Sequence, residues 1–239
     1  IARAGAVEPL VRLLRAGDTE GQTHAVRALR SLATNTANKI AIYHAGPIEA
    51  IVELLRTGAG NVKLVAAWLL QSLAFNHECK TAFLLAGAVQ PLVNMLDSGD
   101  AEAVSVAAGA IWNLSESDDG KIAIARTGAV KPLVQLLWNE DVDGKTQAAG
   151  ALSSLALNAA NRVTIALEGA LQPLVLLWRT GEAEGKTQAT NALNNLALNI
   201  DNNAVIVGLI GGTSGANKKR RRCGDDAFSE SCKHPRYEE

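Results

Sequence analysis

Five leucines, Leu32, Leu73, Leu114, Leu155 and Leu196, stand 41 residues apart each time, and the residues around each of them read nearly alike. A constant period near 40 residues, with helical patterning inside each unit, is the signature of supersecondary units that stack side by side and bury their apolar faces on one another. The 239 residues are therefore expected to form a linear array, each unit needing contact only with the next. Hydrophobic residues make up 48% and aromatics only 4%, so the core must be built from Leu, Ile, Val and Ala, as closely packed short helices require. The expected class is all-α.

Aligning the chain on itself gives the unit position by position. Gly5, Gly46, Gly87, Gly128 and Gly169 share one place, where a glycine lets the backbone turn sharply between two short helices. Four residues on stand Pro9, Pro91, Pro132 and Pro173, with Ala50 in the second unit. Proline in a first turn sacrifices no hydrogen bond and presets φ, so a second helix starts there, with an apolar face such as Leu133, Val134, Leu136 and Leu137. A break follows at Gly17, Gly58, Gly99 or Gly181, with Glu140 as the exception. The third helix carries Ala25, Ala28, Leu29 and Leu32 and their counterparts, a stripe at helical spacing that reads as a buried face. Asn35, Asn76, Asn158 and Asn199 are expected to end it, because Asn tolerates the left-handed conformation.

The pattern G-A-[VIL]-x-P-L-V-x-L-L followed by A-x-x-A-L-x-[NS]-L-A, as in Gly128 to Leu137 with Ala148 to Ala156, resembles the armadillo repeat. The resemblance covers Ile1 to about Val205. It implies a right-handed α-solenoid superhelix of five three-helix armadillo repeats of 41 residues, with units starting near residues 1, 42, 83, 124 and 165. Residues 1–210 are read as this array, closed by a vestigial cap, and residues 211–239 as a disordered tail. The chain opens at Ile1 without Met, with its first unit already under way, and is read as a piece of a longer protein.

In armadillo proteins the third helices line a concave groove in which extended peptides lie. Helices pack roughly 8 to 10 Å apart and an extended chain rises about 3.3 Å per residue, so each unit would meet two or three residues of a bound segment. The place before the recurring Leu holds Ser31, Ser72, Asn113, Ser154 and Asn195, which form either a polar ladder for a peptide backbone or an ordinary solvated helix face. Trp68 shares its place with Arg27, Gly109, Gly150 and Asn191. Trp112 shares its place with Arg30, Gln71, Ser153 and Asn194. Those companions read as solvent-facing, which makes the two tryptophans candidate groove anchors, the alternative being partial burial against the next unit. Trp178 aligns with Leu14, Leu55, Leu96 and Leu137 and is expected in the core. Trp138 aligns with Arg15, Arg56, Asp97 and Arg179, and is expected to be exposed away from the groove.

Nuclear-import adaptors of this family pair Trp with Asn four residues on and surround them with acids. Here no such pair is intact, and Glu116 is the one plainly acidic residue assigned to a third helix. The groove is therefore read as mixed in charge, with Arg27, Arg30 and Lys63 at one end.

Overall net charge is −1. From Ile206 on there are seven Lys/Arg against five Asp/Glu, leaving 16 against 19 in the repeats, without the basic excess of a dedicated nucleic-acid binder. Three cysteines make no even disulfide framework, and no signal peptide or membrane-spanning run is visible, so a cytoplasmic or nuclear place is expected. The run Lys218, Lys219, Arg220, Arg221 and Arg222 resembles a nuclear import signal. Cys223, Cys232 and His234 lack a fourth ligand at suitable spacing, so no metal is assigned. His77 and Cys79 have no orienting partner in the pattern, and no cofactor, small-molecule substrate or catalytic residue is expected.

The function expected is that of a non-catalytic adaptor or scaffold that binds extended segments of other proteins. Its groove contacts would be Arg27, Arg30, Ser31, Trp68, Ser72, Trp112, Asn113, Ser154, Asn191, Asn194 and Asn195. Two rival expectations from the same family are the substrate-recognition part of a U-box ubiquitin ligase and a membrane-tethered vacuolar scaffold. Open solenoid ends also predict self-association.

Overall fold

The computed structural model describes residues 5–222, with side chains through residue 211. Fifteen helices and no strand occur among the described residues. A pair, α1 (Val7–Ala16) and α2 (Thr19–Leu32), comes first. Four triplets follow. They are α3 (Thr36–His44), α4 (Ile48–Thr57) and α5 (Gly60–Leu73); α6 (His77–Leu85), α7 (Val89–Leu96) and α8 (Ala101–Ser115); α9 (Asp118–Arg126), α10 (Val130–Leu136) and α11 (Val142–Leu155); α12 (Ala159–Leu167), α13 (Leu171–Thr180) and α14 (Ala183–Leu196). A last helix, α15, spans Ile200–Arg222.

The third helices α2, α5, α8, α11 and α14 pack side by side in chain order, each on the next, and form one wall of the solenoid. Small residues permit the close approach: α8 buries Ala103, Ala107, Ala108 and Ala110, and α11 buries Ala148, Ala149 and Ala151. The recurring leucine is the centre of each layer. Leu73, Leu114, Leu155 and Leu196 have no exposed surface, and Leu32, in the first unit, is half-buried.

Glycine fixes the turn between the first and second helices. Gly46, Gly87, Gly128 and Gly169, and Gly5 before α1, all have φ between +69° and +84°, a region that an L side chain enters only with strain. The same position in the next unit is Ile210, and there the turn is absent: α15 runs straight through and on to Arg222. The array thus crosses the boundary expected near residue 210 as one continuous helix. Arg179 still marks the register, donating to the carbonyls of Leu209 (2.9 Å) and Ile210 (3.2 Å) much as Arg15 donates to those of Gly46 and Ala45.

Two expectations need correction. Asn35, Asn76, Asn158 and Asn199 do not end the third helix in a left-handed conformation. Asn35, Asn76 and Asn158 have extended backbone, at φ −104°, −135° and −83°, and all four side chains accept N–H groups of the following first helix, as Asn35 does from Ala37 (2.9 Å) and Asn199 from Asp201 (3.1 Å). They are N-caps, a role their chemistry suits better, since the side-chain oxygen satisfies orphan donors. Ser117 does the same for α9. The second correction is Trp178, which is 37% exposed although Leu14, Leu55, Leu96 and Leu137 at the same place are at most 8% exposed. Beyond the unit that holds Trp178 the described residues supply only α15, and the indole is left open.

A second asparagine, three residues after the cap, ties the units together. Asn38, Asn161 and Asn202 each donate Nδ2–H to the carbonyl of the recurring leucine, Leu32 (2.9 Å), Leu155 (3.1 Å) and Leu196 (3.3 Å). Asn161 and Asn202 also reach back to the preceding first helix, to the carbonyls of Lys121 (3.2 Å) and Arg162 (3.1 Å).

Candidate functional site

The open face of the third-helix wall is decided by one repeating contact. A residue near the end of one third helix lies against a residue in the middle of the next. At the first junction both partners are large: the Arg30 guanidinium sits 3.7 Å above the centre of the Trp68 ring, a cation–π contact. At the second, a Cβ on Gly109 would fall 2.4 Å from Nε2 of Gln71; at the third, a Cβ on Gly150 would fall 2.6 Å from the ring carbons Cδ2 and Cε2 of Trp112. Glycine there leaves room for the neighbour's side chain. Gly109 and Gly150 are accordingly buried, and Trp112 spends one face of its indole on Gly150. The residues that share a place with Trp68 are therefore inter-unit contacts as well as surface groups.

The asparagines of the wall are partly committed in the same way. Asn113 donates Nδ2–H to the carbonyl of Gln71 (3.1 Å), and Asn195 to the carbonyl of Ser153 (3.0 Å), each tying its helix to the preceding one. The hydroxyls of Ser31 and Ser72 donate to carbonyls of their own helix, Arg27 (3.1 Å) and Trp68 (2.9 Å). Ser154 is half-buried, while Asn191 and Asn194 are exposed on α14.

What remains open gathers around Trp68. One cavity, of about 600 Å³, is lined by Arg27, Arg30, Ser31, Thr34, Asn61 and Trp68 together with Glu102. A second, of about 550 Å³, lies on the other side of Trp68 and is lined by Gln71, Glu102, Ser105, Asp141, Asp143 and Gln147. The structure thus brings Arg27, Arg30, Ser31 and Trp68 into one hollow. Trp112, Asn113 and Asn195 lie further along the wall.

The acids were misplaced by sequence reasoning. Glu116 is the residue after α8, where it pairs with Lys80 across the units, and the acids that face the hollows are Glu102, Asp141 and Asp143. Glu102 sits in the first turn of α8, two residues after its cap Asp100, a place where an acid is explained by the helix dipole alone. Only the register of α5 against α8 reveals that it also faces Trp68.

The wall, its inter-unit contacts and its hollows can be set beside known proteins. The family described as Armadillo/beta-catenin-like repeat matches residues 1–34, 76–116 and 117–157. An engineered protein is 30% identical, with a TM-score of 0.78 over 92% of this chain and 90% of its own. The chain belongs to the armadillo repeat family. Computationally designed armadillo repeat proteins for modular peptide recognition are 29% identical, with a TM-score of 0.75 over 81% of this chain and 83% of theirs. A designed armadillo repeat protein in complex with the peptide (KR)4 is 26% identical, with a TM-score of 0.77 and 93% of each chain covered. No curated protein matches.

The remaining candidates lie outside the armadillo wall. Cys79 is fully buried in α6, and its thiol is pushed up to about 11 by burial and by the neighbouring Glu78 charge, so it stays protonated at neutral pH. Asp118 begins α9, and a hydrogen bond and charge from Lys121 hold its carboxyl below the usual range. Lys218 to Arg222 fall in the last part of α15. Cys223, Cys232 and His234 lie outside the described residues. No single helix among the described residues is long and apolar enough to cross a membrane.

Proposed function

We propose that this armadillo scaffold binds an extended segment of another protein along its third-helix wall, with Trp68 as the central anchor. The observation that carries the reading is the pair of hollows of about 600 and 550 Å³ that flank Trp68 and share Glu102. An aromatic ring held flat by a guanidinium, with polar groups on both sides, is the arrangement expected of a binding hot spot. Asn61, Gln71 and Gln147 offer amides to a peptide backbone, Arg27 and Arg30 favour an acid at one end, and Glu102, Asp141 and Asp143 a base at the other. That designed relatives recognise peptides supports the reading. Relative to the contacts expected from sequence, weight moves from Trp112, Asn113 and Asn195, which already serve inter-unit contacts, towards Trp68, Glu102 and Asn61.

The test is selection of short random peptides on the intact chain, followed by calorimetry on Trp68→Ala and Glu102→Lys. Selected peptides should lose affinity by roughly thirtyfold on Trp68→Ala, the effect of removing a hot-spot aromatic. Peptides that bind both variants as tightly as the parent would refute the assignment.

A further inference from the structure

The edge where second helices end and third helices begin carries clefts at three junctions, equivalent in register. The cleft between α4–α5 and α7 is lined by Leu55, Arg56, Lys63 and Asn94 and encloses about 500 Å³. The next, between α7–α8 and α10, has Leu96, Asp97, Val104 and Gln135 at the same places and about 330 Å³. The third, between α10–α11 and α13, has Leu137, Trp138, Lys145 and Leu176 and about 250 Å³.

At three positions the third cleft is more apolar than both counterparts. Trp138 stands where the others have Arg56 and Asp97, Val142 where they have Gly60 and Ala101, and Leu176 where they have Asn94 and Gln135. All three are exposed, at 53%, 41% and 47%, and all three line the same hollow, whose floor is Pro173 and Leu177. Scattered surface hydrophobics need no explanation, but three converging on one concavity do. A volume of 250 Å³ exceeds the roughly 150 Å³ that accommodates benzene in an apolar cavity, so the cleft can take an aromatic side chain.

Its surroundings are acidic. Glu182 lines the cleft, Glu140 follows Asn139 on its rim, Asp143 lies one residue beyond Val142, and Asp97 and Asp141 line the next cleft along the edge. Lys145 is the one cation lining the hollow, and none of these five acids makes an ion pair among the described residues.

We infer that this edge cleft is a second docking site, distinct from the groove, for a basic protein segment that inserts an aromatic side chain between Trp138, Val142 and Leu176. The acids draw the flanking Arg or Lys residues, and the apolar cleft takes the anchor. The cleft lies where second helices end; its acidic surroundings share Asp141 and Asp143 with the hollow beside Trp68, so the Trp68→Ala variant is what separates the two sites.

The probe is a short peptide with one Phe flanked on each side by Gly and two Arg, titrated against the full chain and followed by calorimetry. The variant Trp138→Asp/Val142→Ala/Leu176→Gln installs residues that this fold already carries at Asp97, Ala101 and Gln135, so it should keep its helicity and thermal midpoint. The parent should bind the probe in the micromolar range. Replacing Phe by Ser, Arg by Glu, or the parent by the triple variant should each cost roughly tenfold or more. No binding by the parent at roughly millimolar peptide, or equal binding by the triple variant, overturns the inference. So does binding lost on Trp68→Ala but kept in the triple variant, which would move the probe to the groove. If the parent dimerises in sedimentation and the triple variant does not, a second copy is the occupant and the inference also falls.

Discussion

Removing the Asn161 side chain should uncouple two adjacent repeats. Its amide is 6% exposed and donates to Leu155 O (3.1 Å) within its own layer and to Lys121 O (3.2 Å) in the preceding first helix. Each bond contributes about 0.5–1.5 kcal/mol. Neither acceptor is orphaned by the loss, since Leu155 O also accepts from Asn158 N (3.1 Å) and Lys121 O lies inside the α9 ladder. The larger penalty for an unsatisfied buried carbonyl is therefore avoided, and Asn161→Ala should cost about 1–2 kcal/mol. Among the described residues the Asn38 amide donates only within its own layer, and Asn38 is half-buried. Asn38→Ala should cost about half as much. In a linear array the stability of each unit is conditional on its neighbours, so the Asn161 variant should also unfold less cooperatively. Urea titration followed by far-ultraviolet circular dichroism measures both effects. The expected midpoint shift is about 0.5 M at a slope near 3 kcal/mol/M, with a shallower transition. If Asn161→Ala and Asn38→Ala lose the same stability with unchanged slopes, the bond to Lys121 does not couple the units, and the account of inter-repeat stapling is wrong.

Gly150→Ala should destabilise by about 1–3 kcal/mol, because the new Cβ would lie 2.6 Å from the Trp112 ring; adding Trp112→Ser should restore most of the loss in a double-mutant cycle of thermal midpoints, and additive losses would contradict the contact. The thiol of Cys79 is raised from 9.0 to about 11 in the fold. Above pH 9 the unfolded chain therefore releases this proton more readily than the folded one, so the contribution is intact below about pH 9 and is lost as pH rises towards 11. Denaturation midpoints measured across that window should fall in the parent and fall less in Cys79→Ala, and parallel curves would exclude the thiol as the cause.

The architecture was legible because it is written five times. The glycine at residue 46 and its repeats, the proline in the first turn of four of the five second helices, and the apolar stripe on the third are local signals whose physical causes lie within a few residues. The wall's surface was less legible. Gly109 and Gly150 read as solvent-facing types because alignment compares a residue with its counterparts, whereas each of these glycines is explained by a residue of the preceding unit, Gln71 or Trp112. The same blindness applied to Asn113, whose amide serves Gln71 O, and to Asn161, whose partner Lys121 is 40 residues away. The caps were misassigned for a different reason: Asn suits both a helix end and a helix start, and only the backbone, at φ −104° for Asn35, distinguishes them.

The junctions of the wall differ in side-chain volume rather than in backbone plan. When a large residue meets glycine, as Trp112 meets Gly150 or Gln71 meets Gly109, its side chain packs directly on the neighbouring helix backbone. Arg30 meets Trp68 instead, and the two large side chains stack. The hollows lie on both sides of Trp68, and the second reaches Gln71 and Gln147 over the next junction. One Gly-to-Trp difference at the place shared by residues 68, 109 and 150 thus turns a tight glycine contact into a stacked pair of large side chains, while every unit keeps the same fold.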